Sequence, residues 1–282
     1  FRVMTRNPLK ISDIVRYYYR RLLHELRWFR REWREPASGA RTTPAPPPRL
    51  NFVGGPDFEA VGAEFLGYFR ELGGLRPEHA VLDVGCGVGR MAIPLTQYLG
   101  RGRYEGFDIV RRGIRWCTTV IAPRYVNFRF RHVNIYNKHY NPFGTIRASS
   151  FRFPYDDHSF DFIFATSVFT HMLPADAANY FHEIARVLKA DGRALITVFL
   201  MNPESEALMS AGGSVLAFRR LSDGCWTVSE DDPETAVAYD ESRVRALWDA
   251  AGLKVDAPIR YGWWPGQRAH TSYQDIVVLK KA

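Results

Sequence analysis

The ten residues VLDVGCGVGR, 81–90, constrain this chain more than any other stretch. An apolar run ends in Asp83, and Gly85, Gly87 and Gly89 follow at alternate positions. That pattern predicts a buried strand turning through a tight loop into a helix, the arrangement by which an α/β sheet offers main-chain N–H groups to a nucleoside-containing ligand. A dinucleotide loop asks for a small residue where helix and strand pack closely, and Arg90 stands there instead. A triphosphate loop closes on Gly-Lys-Ser/Thr, and nothing after Gly85 has that form.

Further features follow at sheet-like spacing. Tyr104 to Ile109 (YEGFDI) is a second short strand ending in Asp108, an acid about 20 residues beyond the glycines, where a carboxylate can accept both hydroxyls of a ribose. Asn127 to Val133 alternates Phe128, Phe130 and His132 with Arg129 and Arg131, a third strand with Asn134 and Ile135 at its carboxyl end. FPYDDHSFDFIFATSVFTHM, 153–172, reads as a turn and a fourth strand ending near Thr166. Ala177, Tyr180, Phe181, Ile184, Val187 and Leu188 then form the apolar stripe of a helix from Asp176 to Lys189, stopped by Asp191-Gly192, and Ala194 to Leu200 is a fifth strand.

The Asp-x-Gly-x-Gly-x-Gly form at 83–89, with EIARVLKADGRALITVF at 183–199, resembles the class I S-adenosylmethionine-dependent methyltransferases. The resemblance is close over Val81 to Met201, looser over Phe52 to Leu279, and does not reach the first fifty residues. It implies an α/β fold: a Rossmann-like, seven-stranded, mostly parallel sheet with helices on both faces, to which this chain adds an N-terminal amphipathic helix. It also implies S-adenosyl-L-methionine as cofactor, held by Asp83, Gly85, Cys86, Gly87, Gly89, Asp108, Ile109, Asn134, Ile135 and Thr166. The family commonly places an acid at the end of strand three for the adenine amino group. Asn134 departs from that, although its side-chain oxygen can still accept the proton.

Three regions divide the chain: a basic amphipathic helix at 1–35, a Pro-rich linker at 36–50, and the α/β domain at 51–282, with 203–239 expected as a lid or small inserted hairpin. Residues 1–50 hold 12 Lys and Arg against 4 acids, leaving 26 of each sign to the remainder, so the net charge of +8 belongs to the N-terminus. A neutral domain disfavours nucleic acid as partner. Within 10–34, Ile11, Ile14, Val15, Tyr18, Leu22, Leu26, Phe29 and Trp33 share one stripe, and Arg16, Arg20, Arg27, Arg30, Arg31 and Arg34 occupy much of the remainder. That suits an anionic membrane surface, or packing of the stripe on this domain or a second subunit. Cys86, Cys117 and Cys225 have no metal-like spacing, and no apolar run approaches the roughly 20 residues of a membrane span, so the expected location is cytoplasmic, at most peripheral on the membrane.

Methyl transfer from a sulfonium is an in-line displacement that needs a base only if the nucleophile must lose a proton. His171, just after strand four at the ligand-binding edge of the sheet, is the candidate catalytic base; the alternative is a capping or packed histidine. Asp156, Asp157 and His158 read as the turn before Phe160, and no metal is assigned. Tyr136 to Ser150, an insertion between strands three and four, either shapes an acceptor pocket or is a surface loop. Trp263 and Trp264 either stack on a ring-bearing acceptor or pack as core. The expected activity is methylation, by preference O-methylation, of a small-molecule, saccharide (glycan) or lipid-linked acceptor. RNA or protein methylation through the basic helix, and a non-catalytic cofactor-binding subunit, are the alternatives; TSVF at 166–169 lacks the Pro-Pro tetrapeptide of many amino-group methyltransferases.

Overall fold

A computed structural model of the protein describes residues 44–51, 57–212, 214, 216–266 and 272–282. The amphipathic pattern at 10–34 and the linker up to residue 43 lie outside the described residues. The chain divides into two compact units, Phe1–Phe52 and Val53–Ala282. In the first, the described residues hold one 3-10 turn, Pro48–Leu50, for which Pro48 presets the backbone.

The second unit is built on seven strands: β1 (Ala80–Val84), β2 (Arg103–Asp108), β3 (Phe128–His132), β4 (Phe160–Ala165), β5 (Leu188–Val198), β10 (Leu253–Val255) and β11 (Asp275–Lys281). Their order is β10-β11-β5-β4-β1-β2-β3. β1 to β5 pair in parallel, whereas β11 runs antiparallel to both β5 and β10. The chain therefore reverses direction outward from β1, and the crevice beyond the carboxyl ends of β1 and β4 is the topological switch point.

Both faces are covered, as the apolar runs at 81–84 and 160–165 require. On one face lie α4 (Pro174–Val187) and α6 (Glu241–Ala250), whose Phe181, Ile184, Val187, Val244 and Trp248 share a cluster with Leu82, Ile163 and Ile196. On the other, Phe69 of α1 (Phe58–Glu71) and Ala92 and Leu95 of α2 (Ala92–Tyr98) join Val81, Tyr104, Phe162 and Phe164. Asp57 caps α1, its carboxylate accepting from Ala60 N at 2.9 Å. α3 (Arg111–Trp116) continues into a π turn at Cys117–Ile121.

Two expectations at strand boundaries are corrected. α4 ends at Val187, before the expected Lys189, because Leu188 already pairs with Phe160; Asp191-Gly192 consequently falls within β5, beside a register shift between Phe160 and Phe162. The carboxyl-terminal sequence, in which Val255 to Tyr261 and Tyr273 to Leu279 read as a final strand pair, supplies β10 only over Leu253–Val255. Pro258 has no N–H to give a ladder, and beyond it Arg260 makes only an isolated bridge to Ile276.

A second sheet, ordered β6-β9-β8-β7, grows from the end of β5. It consists of β6 (Leu200–Met201), β7 (Arg219–Ser222), β8 (Cys225–Thr227) and β9 (Val237–Asp240). Its first connection carries a helix, α5 (Pro203–Ser210), that shows no helical period in the sequence and is set by a capping box between Asn202 and Ser205. Asp275, fully buried on β11, accepts from Leu200 N at 2.7 Å, Gly262 N at 2.6 Å and Trp264 Nε1 at 2.8 Å. Trp264 is thereby core, packed with Phe199 and Phe218, and is not available for ring stacking on an acceptor.

Candidate active site

The glycine loop is tied to β2 before it turns. Gly85 N and Cys86 N both donate to Phe107 O, at 2.9 and 3.0 Å. Gly85, Gly87 and Gly89 have φ of +83°, +56° and +79°, the left-handed region in which a Cβ is costly. Space divides them further. A Cβ at Gly85 would stand 2.5 Å from Val168 Cγ2, and one at Gly89 2.7 Å from Ile121 Cδ1 in the π turn, whereas at Gly87 it would meet nothing within 4 Å. Gly85 and Gly89 are packing glycines, and Gly87 faces open space.

Asp108 closes this loop. Its Oδ2 accepts from Gly87 N at 2.8 Å and its Oδ1 from Val110 N at 2.6 Å. Burial pushes the carboxyl up to about 6 against the opposing pull of the Val110, Gly87 and Ile109 N–H groups. Asp83, at the end of β1, is buried more severely: burial raises it to about 8, opposed by a 2.6 Å hydrogen bond from Tyr104 Oη to Oδ2. Its Oδ1 is buried without a partner, a cost the fold carries at the mouth of the loop. Cys86 and Cys117 are buried thiols whose acidity burial suppresses. Above the loop, α1 crosses so closely that a Cβ on Gly62 would lie 2.7 Å from Arg90 O, and the Arg90 guanidinium sits 5.3 Å from the Phe58 ring centre.

At the end of β3, Asn134 is held by the insertion that follows it. Its Nδ2 donates to Thr145 Oγ1 at 3.1 Å, its Oδ1 accepts from Asn141 Nδ2 at 3.3 Å, and its carbonyl accepts from Thr145 N and Ile146 N. Ile135 beside it is buried. Thr166 leaves β4 into a sharp bend at Ser167, φ +56°, whose N–H donates to Thr197 Oγ1 at 2.8 Å; Val168 then folds over Gly85.

His171 ends the 3-10 turn Phe169–His171. Its Nδ1 lies 2.9 Å from Glu234 O, a carbonyl that only accepts, so Nδ1 carries the hydrogen. Nε2 is then the ring's acceptor, and it faces Tyr140 Oη at 3.4 Å. Burial lowers the imidazole below its ordinary value, keeping it neutral. Tyr140 is pushed up to about 12 by burial, with the Asp108 carboxylate adding to the effect. The segment that carries Tyr140 is joined to the one whose Glu234 carbonyl holds His171: Lys138 N donates to Glu234 Oε2 at 2.9 Å, and Lys138 Nζ to Asp231 O at 2.5 Å. From below, Tyr239 Oη on β9 donates to Phe169 O and Met172 O, fixing the turn that carries His171.

The sequence-derived residues thus fall into one cleft at the carboxyl ends of β1, β2, β3 and β4. Tyr140 and Glu234 were not legible in advance; the Tyr-rich composition of 136–150 was the available signal for the first, and Glu234 acts through its backbone carbonyl. Asp157 lies away from the cleft and pairs with Arg186 at 2.7 Å, and Ser159 Oγ donates to Asp156 O at 2.7 Å, as the turn reading of this segment expects. Trp263 remains 42% exposed and edge-on to Tyr273.

Residues 82–196 match the family described as a methyltransferase domain. An uncharacterized methyltransferase, YcgJ of Bacillus subtilis (strain 168), is 30% identical over 134 residues, 47% of this chain and 46% of the relative, so the match spans about half of each. The fold is similar to the PH0226 protein from Pyrococcus horikoshii OT3, with a TM-score of 0.57 at 16% identity over 83% of this chain and 96% of that one. It is also similar to the magnesium protoporphyrin IX methyltransferase of Synechocystis PCC 6803, with a TM-score of 0.50 at 16% identity over 83% and 92% of the two chains.

Proposed function

We propose that the chain is a class I S-adenosylmethionine-dependent methyltransferase that methylates a hydroxyl of a small-molecule, saccharide or lipid-linked acceptor, with His171 as proton acceptor. The observation that carries the proposal is the fixed tautomer of His171: the Glu234 carbonyl holds the hydrogen on Nδ1 and leaves Nε2, beside Tyr140 Oη, able to take a proton.

The cleft fits S-adenosyl-L-methionine. Open space at Gly87 admits a ligand where a Cβ would otherwise stand, and Asp83 Oδ1 is a buried carboxyl oxygen without a partner, left for a bound ligand to satisfy. In this reading Gly85, Cys86, Gly87 and Gly89 form the floor, Asp108 and Ile109 take the ribose, Asn134 and Ile135 the adenine, and Asp83 and Thr166 the methionine end. When bound, the cofactor supplies a methyl group on a positively charged sulfur. The protein holds the acceptor oxygen in line with it and excludes water beneath the joined 136–150 and 229–235 segments. His171 Nε2 would take the proton that the acceptor hydroxyl gives up on methylation. The neutral imidazole makes that transfer possible at pH 7.

Residues 10–34 supply, in the same proposal, an arginine-rich amphipathic tether to an anionic membrane surface. No helix among the described residues is long and apolar enough to cross a membrane. The test is transfer of labelled methyl into lipid, glycan, small-molecule and RNA fractions, with calorimetry of cofactor binding alongside. His171→Gln is expected to bind cofactor as wild type and to lose about 10²–10⁴ in kcat. Unchanged kcat in that variant would remove His171 from the reaction.

A further inference from the structure

The electrical neutrality of residues 51–282 conceals a division. Residues 101–152, which run from β2 through α3 and β3 to the end of the insertion, hold 11 Lys and Arg against two acids, leaving 15 and 24 to the remainder of the 26 of each sign. Both of those acids are withdrawn from solvent: Asp108 lies in the cleft, and Glu105 is half-buried on β2 among Arg103, Arg129 and Arg131. Nine of the arginines, Arg101, Arg103, Arg111, Arg115, Arg124, Arg129, Arg131, Arg147 and Arg152, are exposed.

Apolar exposure concentrates in the same stretch. Among the described residues four large apolar side chains are exposed, and three of them, Val126 at 90%, Phe143 at 46% and Ile146 at 38%, lie here. They bracket the open edge of the sheet. Among the described residues β3 pairs with β2 alone; Val126 lies two residues before it, and Ile146 bridges Ile135, three residues beyond its other end. A polyanion such as RNA rewards the arginines and gains nothing from protruding aliphatic groups, whereas a bilayer interface rewards both.

We propose that the β3 edge of the catalytic domain is a docking surface for an anionic lipid bilayer, with its arginines against the headgroups and Val126, Phe143 and Ile146 in the interface. This surface is separate from residues 10–34 and does not depend on which acceptor is methylated. Its bearing on the acceptor does rest on the methyl-transfer reading: the loop that exposes Phe143 and Ile146 is the one whose Tyr140 faces His171, so docking brings the mouth of the cleft to the bilayer.

The full chain, with residues 10–34 unchanged throughout, is mixed with vesicles of phosphatidylcholine and phosphatidylglycerol (7:3) or of phosphatidylcholine alone, and partitioning is read by flotation. Arg115→Glu/Arg124→Glu/Arg129→Glu is expected to lower partitioning onto the anionic vesicles at least tenfold, each arginine contributing about fivefold. Val126→Ser/Phe143→Ser/Ile146→Ser is expected to lower it several-fold at unchanged charge. Cofactor binding by calorimetry should match wild type in both, which verifies folding and tests the methyltransferase reading separately. Partitioning within twofold of wild type in either variant, or equal binding to the two vesicle types, overturns the proposal. So does a serine variant that floats normally while the glutamate variant loses affinity for single-stranded RNA.

Discussion

Substituting alanine at the three positive-φ glycines of the loop should separate what each glycine does. At Gly85 two costs add: the left-handed backbone, about 1–2 kcal/mol for a residue with a Cβ, and overpacking against Val168 Cγ2 at 2.5 Å, about 1–3 kcal/mol because a β-branched side chain has little rotameric freedom to retreat. Gly85→Ala should therefore lose about 2–5 kcal/mol of folding stability by urea denaturation. At Gly87 only the backbone cost applies, since the added methyl meets nothing within 4 Å. Gly87→Ala should lose no more than about 1–2 kcal/mol, yet abolish cofactor binding by calorimetry, because its methyl occupies the space the ligand needs. Combining Gly85→Ala with Val168→Ala should reveal a coupling of about 1–3 kcal/mol in a double-mutant cycle. A coupling below about 0.5 kcal/mol, or a larger stability loss at Gly87 than at Gly85, would refute the division into packing and ligand-facing glycines.

Other consequences can be checked singly. Because the native state holds a proton on Asp83 up to about pH 8 while the unfolded chain releases it near pH 4, the ligand-free protein should lose stability as pH rises through that window, by at most about 1.4 kcal/mol per pH unit. Asp83→Asn should flatten that slope, and an unchanged slope in the variant would be decisive against it. Arg186→Leu removes the partner of Glu183 at 2.6 Å and strips hydrogen bonds from Phe153 O and Tyr155 O, so a loss of about 3–5 kcal/mol is expected in thermal unfolding. In turnover assays the rate should fall on the acid side as His171 Nε2 is protonated, with a midpoint below the ordinary imidazole value; Tyr140→Phe should shift that limb and leave cofactor affinity intact.

The β1–β2 side of the candidate site was legible in the sequence because its physics is local. A left-handed glycine, a carboxylate at a strand end and a five-residue apolar run each leave a mark within a short window, and Asp83, Gly85 and Asp108 fall where that marking puts them. The surroundings of His171 were not legible. Tyr140, His171 and Glu234 meet across separations of 31 and 63 residues, and what joins them is a side-chain pair and a main-chain carbonyl, neither of which produces a periodic pattern. α5 leaves no periodic mark because it is held by its cap rather than by an apolar stripe, and β10 stops at Val255 where Pro258 interrupts a run that composition alone reads as continuous to Tyr261.

The carboxylate of Asp275 has a consequence for the order in which the chain assembles. Leu200, Gly262 and Trp264 all depend on it, and it sits on β11, the last strand of the domain to leave the ribosome. β1 to β5 can pair among themselves as synthesis proceeds, but the junction of the two sheets stays unsatisfied until β11 docks beside β5. The parallel strands thus become a base on which the second sheet is laid down late. Sequence change in 203–239, which joins the sheet junction only at that late stage, can therefore accumulate while the earlier folding steps stay undisturbed.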